Sequence, residues 1–253
     1  MPRRLIVHAG FHKTGTTSIQ RLLKRNRDAL PDLQIVLRPH MVGLCEAARA
    51  YSVSRDAVDL GFVQYEAALL AETMRRDTVL LSSEDLSGHM PGRRNLVAYD
   101  AAPALAAAMV DAWAEALPGV EIRFAYTVRD RDPWLASCYV QHLRATRITI
   151  AADHYALAYA TSADLSGIVA QVQGAVPDVE VRQFALEDIG GARLGPADAL
   201  LAYAGVTLEK RATLTPVAKA NQAMSRRRRD AFLALNQSTL TDAEVRDRKK
   251  RMP

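Results

Sequence analysis

Leu5-Ile6-Val7-His8-Ala9-Gly10, running straight into Phe11-His12-Lys13-Thr14-Gly15-Thr16-Thr17-Ser18, is the stretch on which the fold turns. Leu5 to Val7 is short, apolar and rich in β-branched side chains, and the run ends in glycine, as a central parallel strand should. Ile19, Leu22 and Leu23 then fall at helical spacing, with arginine and lysine on the other face, which predicts a helix capped by Thr16 or Thr17. His12 to Ser18 is therefore a loop at a strand-to-helix junction. Amide N–H groups at a helix start have no intrahelical partner, and the helix dipole adds partial positive charge there, so such a loop can wrap an anion. Gly15 lets the backbone curl close to the anion's oxygens, Thr16, Thr17 and Ser18 add hydroxyls, and Lys13 supplies a full charge. The expected ligand is a phosphate or sulfate group.

Working outward, Gln34–Leu37, Thr78–Ser82, Glu121–Val128 and Val179–Phe184 read as four further strands. Helices are expected around 42–51 and 58–76, at 103–117 before Pro118-Gly119, and from Asp132-Pro133 onward, since proline is tolerated in a first turn. Others are expected over 151–160, 165–172, 196–203 and 226–235. Strands alternating with helices predict an α/β architecture in three layers, a central mostly parallel sheet of about five strands with helices on both faces. The chain has 253 residues, and a single domain over 1–240 holds all these elements. The charged stretch 241–253 reads as a weakly ordered tail.

The composition, 49% apolar and 24% charged, is that of an ordinary soluble enzyme. A net charge of +5, much of it from Arg226–Arg229 and Arg246 to Arg251, suits an anionic ligand and by itself suits a nucleic-acid surface equally well. Cys45 and Cys138 form no CxxC pair and read as buried free thiols of a reducing compartment, and no spacing suits a metal. No segment approaches the roughly 20 apolar residues of a membrane span. Pro2-Arg3-Arg4 leads into too short an apolar run for a signal peptide, so a cytoplasmic protein is expected.

Gly10 and Gly15 have the spacing of the nucleoside-triphosphate loop G-x-x-x-x-G-K-[ST], but Thr16 stands where its lysine belongs. The loop lysine, Lys13, precedes the second glycine, and a kinase would lose its β/γ-phosphate contact by that change. Lys13-Thr14-Gly15-Thr16-Thr17 instead resembles the K-[ST]-G-[ST]-T loop with which sulfotransferases hold the 5′-phosphate of 3′-phosphoadenosine 5′-phosphosulfate (PAPS). The second part of that family's pattern is an arginine ending a later strand and a serine eight residues on. Arg129 and Ser137 stand in that relation. By resemblance they hold the 3′-phosphate, the arginine by a forked charged contact and the serine by its hydroxyl. Many members place proline two residues after the arginine; here Pro133 is four after it, and a helix starting there puts Ser137 just over one turn in. A fainter echo, Lys219-Ala220-Asn221-Gln222-Ala223-Met224-Ser225, resembles the Asn-rich turn that bacterial members carry before a basic helix. From there Arg226–Arg229 would reach the 3′-phosphate.

The resemblance implies a bacterial-type, PAPS-dependent sulfotransferase of P-loop-like fold. His12, Lys13, Thr14, Gly15, Thr16, Thr17, Ser18, Arg129 and Ser137 would bind the donor and its product PAP. The sulfuryl group would pass to a hydroxyl or amine of an acceptor, a carbohydrate or small metabolite, without need of a metal. Lys13 would neutralise the leaving phosphate. Glu84, just after the third strand and so at the same sheet edge as the loop, would take the acceptor's proton. Family members use glutamate or histidine here, which makes His12, His40, His89 and His142 rivals. Acceptor contacts are expected from 40–65, 89–99 and 146–155. Neither a nucleic-acid partner nor a membrane span is expected, and a homo-oligomer stays open. Two alternatives stand beside this reading. One is a P-loop small-molecule kinase, from the Gly10/Gly15 spacing and Ser83-Glu84-Asp85; the other is a non-catalytic PAP-binding module of the same fold.

Overall fold

Five apolar runs pair side by side in a computed structural model that describes residues 1–218 and 224–252. They are β1 (Arg4–His8), β2 (Leu33–Leu37), β3 (Thr78–Ser82), β4 (Glu121–Val128) and β5 (Glu180–Ala185). All neighbours are parallel, in the order β2-β3-β1-β4-β5, with Ile6 level with Leu80 on one side and Arg123 on the other. The helices, in chain order, are α1 (Thr16–Arg25), α2 (Val42–Ser54), α3 (Ala57–Ala71), α4 (Ala102–Ala116), α5 (Arg131–Ala145) and α6 (Ala152–Ala158). They continue with α7 (Leu165–Ala175), α8 (Leu186–Ile189), α9 (Ala197–Tyr203), α10 (Leu208–Thr213), α11 (Arg226–Gln237) and α12 (Asp242–Arg251).

Side-chain alternation along the strands sorts the core into two layers. Leu5, Val7, Val79, Leu81, Phe124 and Tyr126 point to one face, where α2, α3, α4 and α7 cover them. Ile6, Leu80 and Ala125 point to the other, under Ile19, Leu22 and Leu23 of α1 and Leu200 and Leu201 of α9. The central strands are thus buried on both faces, which is why they read as continuous apolar runs. The expected three-layer α/β sheet is the fold found. β1 lies between β3 and β4, so the chain leaves it in opposite senses on its two sides. The carboxyl edge at such a switch point is where open α/β sheets bind ligands.

Three local expectations change. The residue capping α1 is Gly15, in the left-handed region (φ 98°), and neither threonine caps it; the Thr16 hydroxyl instead donates to the Phe11 carbonyl at 3.2 Å. α5 begins at Arg131, two residues before Pro133, because an amide in the first turn has no intrahelical acceptor and proline loses nothing there. Ser137 consequently sits about 1.7 turns into the helix rather than just over one. The stretch after Leu240 is helical: Thr241 and Glu244 form a reciprocal capping box and the last turn carries Arg248 to Arg251, favourable charge for a helix carboxyl end. Its Val245 is buried, and Arg147 of the preceding part bonds Asp242 at 2.6 Å. Lys219 to Ala223 of the Asn-rich segment lie outside the described residues. No helix among the described residues is long and apolar enough to cross a membrane. Cys45 and Cys138 are both buried and free.

Candidate functional site

The loop after β1 is built from below. Phe11 is fully buried, with its ring centroid 4.7 Å from Tyr99 and 5.3 Å from Tyr126. The hydroxyls of Thr14 and Thr16 both donate to the Phe11 carbonyl, at 2.7 and 3.2 Å, so the chain curls back over that residue. Lys13 (φ 71°) and Gly15 (φ 98°) take left-handed conformations on either side of Thr14. For Lys13 this is a strained state of the kind that collects at functional sites. Among the described residues no hydrogen-bond acceptor faces the amides of Lys13 through Thr17. Five successive unpaired donors at a helix start form an anion cradle.

The cradle opens into a cleft of about 850 Å³ at the carboxyl edge of the sheet. His12, Lys13, Gly15, Thr16, Thr17, Ser18, Glu84, Arg129 and Ser137 all line it. Thr14 does not: its side chain is buried beneath the loop, 2.8 Å from the Thr127 hydroxyl, which leaves only its backbone to meet a ligand. Lys13 Nζ donates to Gln141 Oε1 at 3.4 Å. Burial pulls the Lys13 pKa down, and Arg144 and Arg129 add to this, against the opposing pull of Cys138 and Glu84. A partly desolvated ammonium of this kind gains from an incoming anion.

Arg129 directly follows β4, and its Nη1 donates to the Lys13 carbonyl at 3.3 Å. Its Nε is buried without a hydrogen bond among the described residues and stands 3.9 Å from Glu187 Oε1. The residue lines the cleft, so its guanidinium is placed to donate a charged hydrogen bond to a ligand there. Trp134 Nε1 donates to the His12 carbonyl at 2.9 Å, clamping the first turn of α5 to the loop. Pro133, Ser137, Val140, Gln141 and Arg144 recur at the 3–4 residue spacing of one helix face, and that face forms one wall of the cleft.

Glu84 opens a short 3₁₀ turn, Glu84–Ser87, at the end of β3. Gln20 Nε2 donates to its Oε2 at 2.9 Å, so neither Lys13 nor Arg129 holds this carboxylate. The histidines are differently placed. The His12 amide donates to Tyr99 Oη, its Nδ1 lies 3.0 Å from the same oxygen, and its Nε2 faces Asp85 Oδ1 at 3.6 Å. Both ring nitrogens are therefore engaged. Burial alone would push the Asp85 pKa up, but His12 and Arg38 (Nε to Oδ2, 2.6 Å) outweigh it and hold the acid at about 2. His142 is buried, its Nδ1 2.9 Å from Tyr155 Oη, and burial, with Arg93 and His12 nearby, lowers its pKa to about 4. His40 is exposed, and neither it, His89 nor His142 lines the cleft.

Sequence reading missed several residues. His8 lies fully buried under the loop, Nδ1 2.8 Å from Ser82 Oγ and Nε2 3.3 Å from Thr127 Oγ1, so one imidazole ties the ends of β1, β3 and β4 together. Burial lowers its pKa to about 4. Gln141, Arg144 and Glu187 also line the cleft, as does Arg93, which falls within the expected stretch 89–99 without being singled out there. Gln141 and Arg144 had a signal, lying four and seven residues after Ser137 on one helix face. Of the run Arg226–Arg229, only Arg229 reaches the cleft; Arg228 donates to the Met252 carbonyl and Arg226 faces Asp230. Of the three stretches expected to meet an acceptor, only 89–99 reaches it, through Met90 and Arg93. Among the described residues no three His, Cys, Asp or Glu side chains cluster as metal ligands would.

These features define an α/β protein with a loop of unpaired amides at the switch point of a parallel sheet. No protein-family model and no curated protein matches the chain. Among solved structures it is similar to a sulfotransferase from Alicyclobacillus acidocaldarius, at 18% identity and a TM-score of 0.49, over 100% of this chain and 97% of that one.

Proposed function

We propose that this chain is a sulfotransferase that moves the sulfuryl group of PAPS to a hydroxyl or amine of a carbohydrate or small-metabolite acceptor. The observation that carries the proposal is a pair of anion points in contact with each other. The unpaired amides and lysine of Lys13–Thr17 make one; Arg129, bonded to the Lys13 carbonyl, makes the other. A nucleotide bearing phosphates at both the 5′ and 3′ positions fits two such points. The lysine ahead of Gly15, in place of one after it, turns the loop away from triphosphate chemistry.

In this reading the loop amides, Thr17 and Ser18 hold the 5′-phosphate, and Arg129 and Ser137 hold the 3′-phosphate. PAPS supplies an activated sulfuryl group whose bond to the phosphate oxygen breaks in the transfer. Lys13 steadies the charge that develops on that oxygen. Glu84, oriented by Gln20, accepts the proton that the acceptor oxygen loses as its bond to sulfur forms. With both nitrogens of His12 engaged and the other rival histidines off the cleft lining, Glu84 is the base the arrangement favours.

Thermal-shift measurement with PAP and ATP, each with and without magnesium, tests the reading. PAP should raise the melting temperature without magnesium, and by more than ATP does. Magnesium-dependent stabilisation by ATP, with none by PAP, would turn the assignment to a kinase. PAP binding without transfer to any acceptor would make the chain a binding module.

A further inference from the structure

The cleft continues past the proposed nucleotide site, and its far end carries its own cations. Order along α5 sets the direction. Ser137 comes first, Gln141 about 6 Å further along the axis, and Arg144 about 10 Å from Ser137, at 1.5 Å per residue. Gln141 is the residue that bonds Lys13 Nζ. Arg144 therefore lies beyond the lysine, on the side away from the Arg129–Ser137 end. The segment after β3 contributes Glu84, Met90 and Arg93 to the same lining, and its turn at Gly92 packs on His142 of α5, level with that end of the helix.

Arg93 is presented by an unusual backbone. Gly92 (φ 86°), Arg94 (φ 52°) and Asn95 (φ 62°) all lie in the left-handed region, and the turn closes with Gly92 N–H donating to the Leu96 carbonyl at 2.7 Å. Non-glycine residues in that region cost about 1–3 kcal/mol each and persist where the surroundings hold them. Gly92 supplies the hold: a Cβ there would come within 2.4 Å of the buried His142 ring, so only glycine lets the turn sit on it. Among the described residues neither the Arg93 nor the Arg144 guanidinium has an ion-pair or hydrogen-bond partner. Two unpaired arginines thus stand near the last turns of α5, in the cleft that Glu84 also lines, beside the place an acceptor facing Glu84 would take.

We propose that the acceptor is itself an anion, a hydroxyl- or amine-bearing molecule with a separate carboxylate, phosphate or sulfate group, read by Arg93 and Arg144. The proposal rests on the sulfotransferase reading above. Guanidinium groups suit such planar or tetrahedral oxyanions because they donate two hydrogen bonds in a fixed fork. An anion held there leaves the acceptor's hydroxyl free to face Glu84.

Matched acceptors that differ by one charge test it: 4-nitrophenyl β-D-glucuronide against 4-nitrophenyl β-D-glucoside, and 4-hydroxyphenylpropionate against its methyl ester. Binding of each to the PAP-loaded protein is measured by calorimetry, and sulfuryl transfer from PAPS alongside. The anionic member of at least one pair should bind at least tenfold more tightly. Arg93→Gln and Arg144→Gln should each bring that ratio towards one with PAP affinity little changed, and Arg93→Lys should restore part of it. A ratio near one in both pairs, absence of binding included, overturns the proposal. So does a ratio that both glutamine variants leave intact. Weaker PAP binding in both variants with unchanged acceptor discrimination also overturns it, by assigning the arginines to the nucleotide. Failure of wild-type protein to bind PAP removes the sulfotransferase reading itself, which the same titration reports separately.

Discussion

The two ends of the cleft are made of different material. At the proposed nucleotide end most of the ligand-facing groups are backbone amides, and side chains packed out of water hold them: Phe11, Thr14, Trp134 and, underneath, His8. At the other end the groups are side chains, Glu84, Arg93 and Arg144, borne on a 3₁₀ turn, a left-handed loop and the outer part of a helix. The first end is rigid because its donors belong to the fold. The second is adjustable because its charges stand on stems. In the proposed transfer such a division leaves the side chains of the second end free to change without disturbing the sheet.

The largest effect that would sharpen this contrast is expected at Glu84. Glu84→Gln keeps an oxygen for Gln20 but cannot take a proton, so transfer should fall roughly a thousandfold with PAP affinity unchanged. Single-turnover rates beside PAP titrations read both. Full residual turnover would remove Glu84 as the base, and a parallel loss of PAP binding would place it at the nucleotide end.

Acid should reach the supports of the nucleotide end. The His8 pKa is about 4 in the folded chain against 6.5 when unfolded. Between those values the unfolded chain binds the extra proton, so the contribution of neutral His8 is complete above pH 6.5 and is lost as the pH falls to 4. Its full size is about 3 kcal/mol by the conversion of 1.36 kcal/mol per pKa unit. Asp85, held at about 2 against 3.8, loses its contribution only below that window. Denaturant unfolding across the range, with NMR titration of the imidazoles, checks the assignment. An imidazole of His8 that titrates at the ordinary value would break the picture of a sealed support.

Arg129→Gln should raise the PAP dissociation constant about a hundredfold, the scale of truncating one member of a desolvated charge pair. Arg93→Gln and Arg144→Gln should not approach that loss. Equal losses at all three arginines would erase the distinction between the ends.

The same division explains what could be read in advance. β1, the loop and α1 are contiguous, and each is signalled by local chemistry: an apolar run, a glycine with hydroxyls and a lysine, then helical periodicity. β5 was also found, though as an edge strand much of it is exposed, because Val179 and Val181 still alternate with Glu180 and Arg182. The proposed acceptor end is legible only in part: Glu84 is announced by the strand before it, and 89–99 is expected to meet an acceptor without Arg93 being singled out. Arg93 owes its place to the left-handed turn packed on His142, a contact across 50 residues of chain that neither segment announces. His8 looked like one more strand residue, since its role depends on the alignment of Ser82 and Thr127 beside it. The helix after Leu240 was hidden by charge: its composition says tail, while Thr241 and Glu244 at capping spacing say helix.

The smallest predicted effect tests the nucleotide end most finely. Ser137 lines the cleft on the wall formed by α5, and among the described residues its hydroxyl has no hydrogen-bond partner. Alanine is the best helix former, so Ser137→Ala should leave α5 and the fold undisturbed. What it removes is one contact to the ligand, worth about 1 kcal/mol or roughly fivefold in PAP affinity. The double variant with Arg129→Gln then carries the argument. If both side chains hold the same phosphate, the second loss should be smaller once the first has been made, because the phosphate is already poorly placed. Strict additivity would mean the two residues touch different groups. No effect of Ser137→Ala would move the 3′-phosphate off α5 altogether, leaving Arg129 to hold it with Arg229, the one member of its run that lines the cleft.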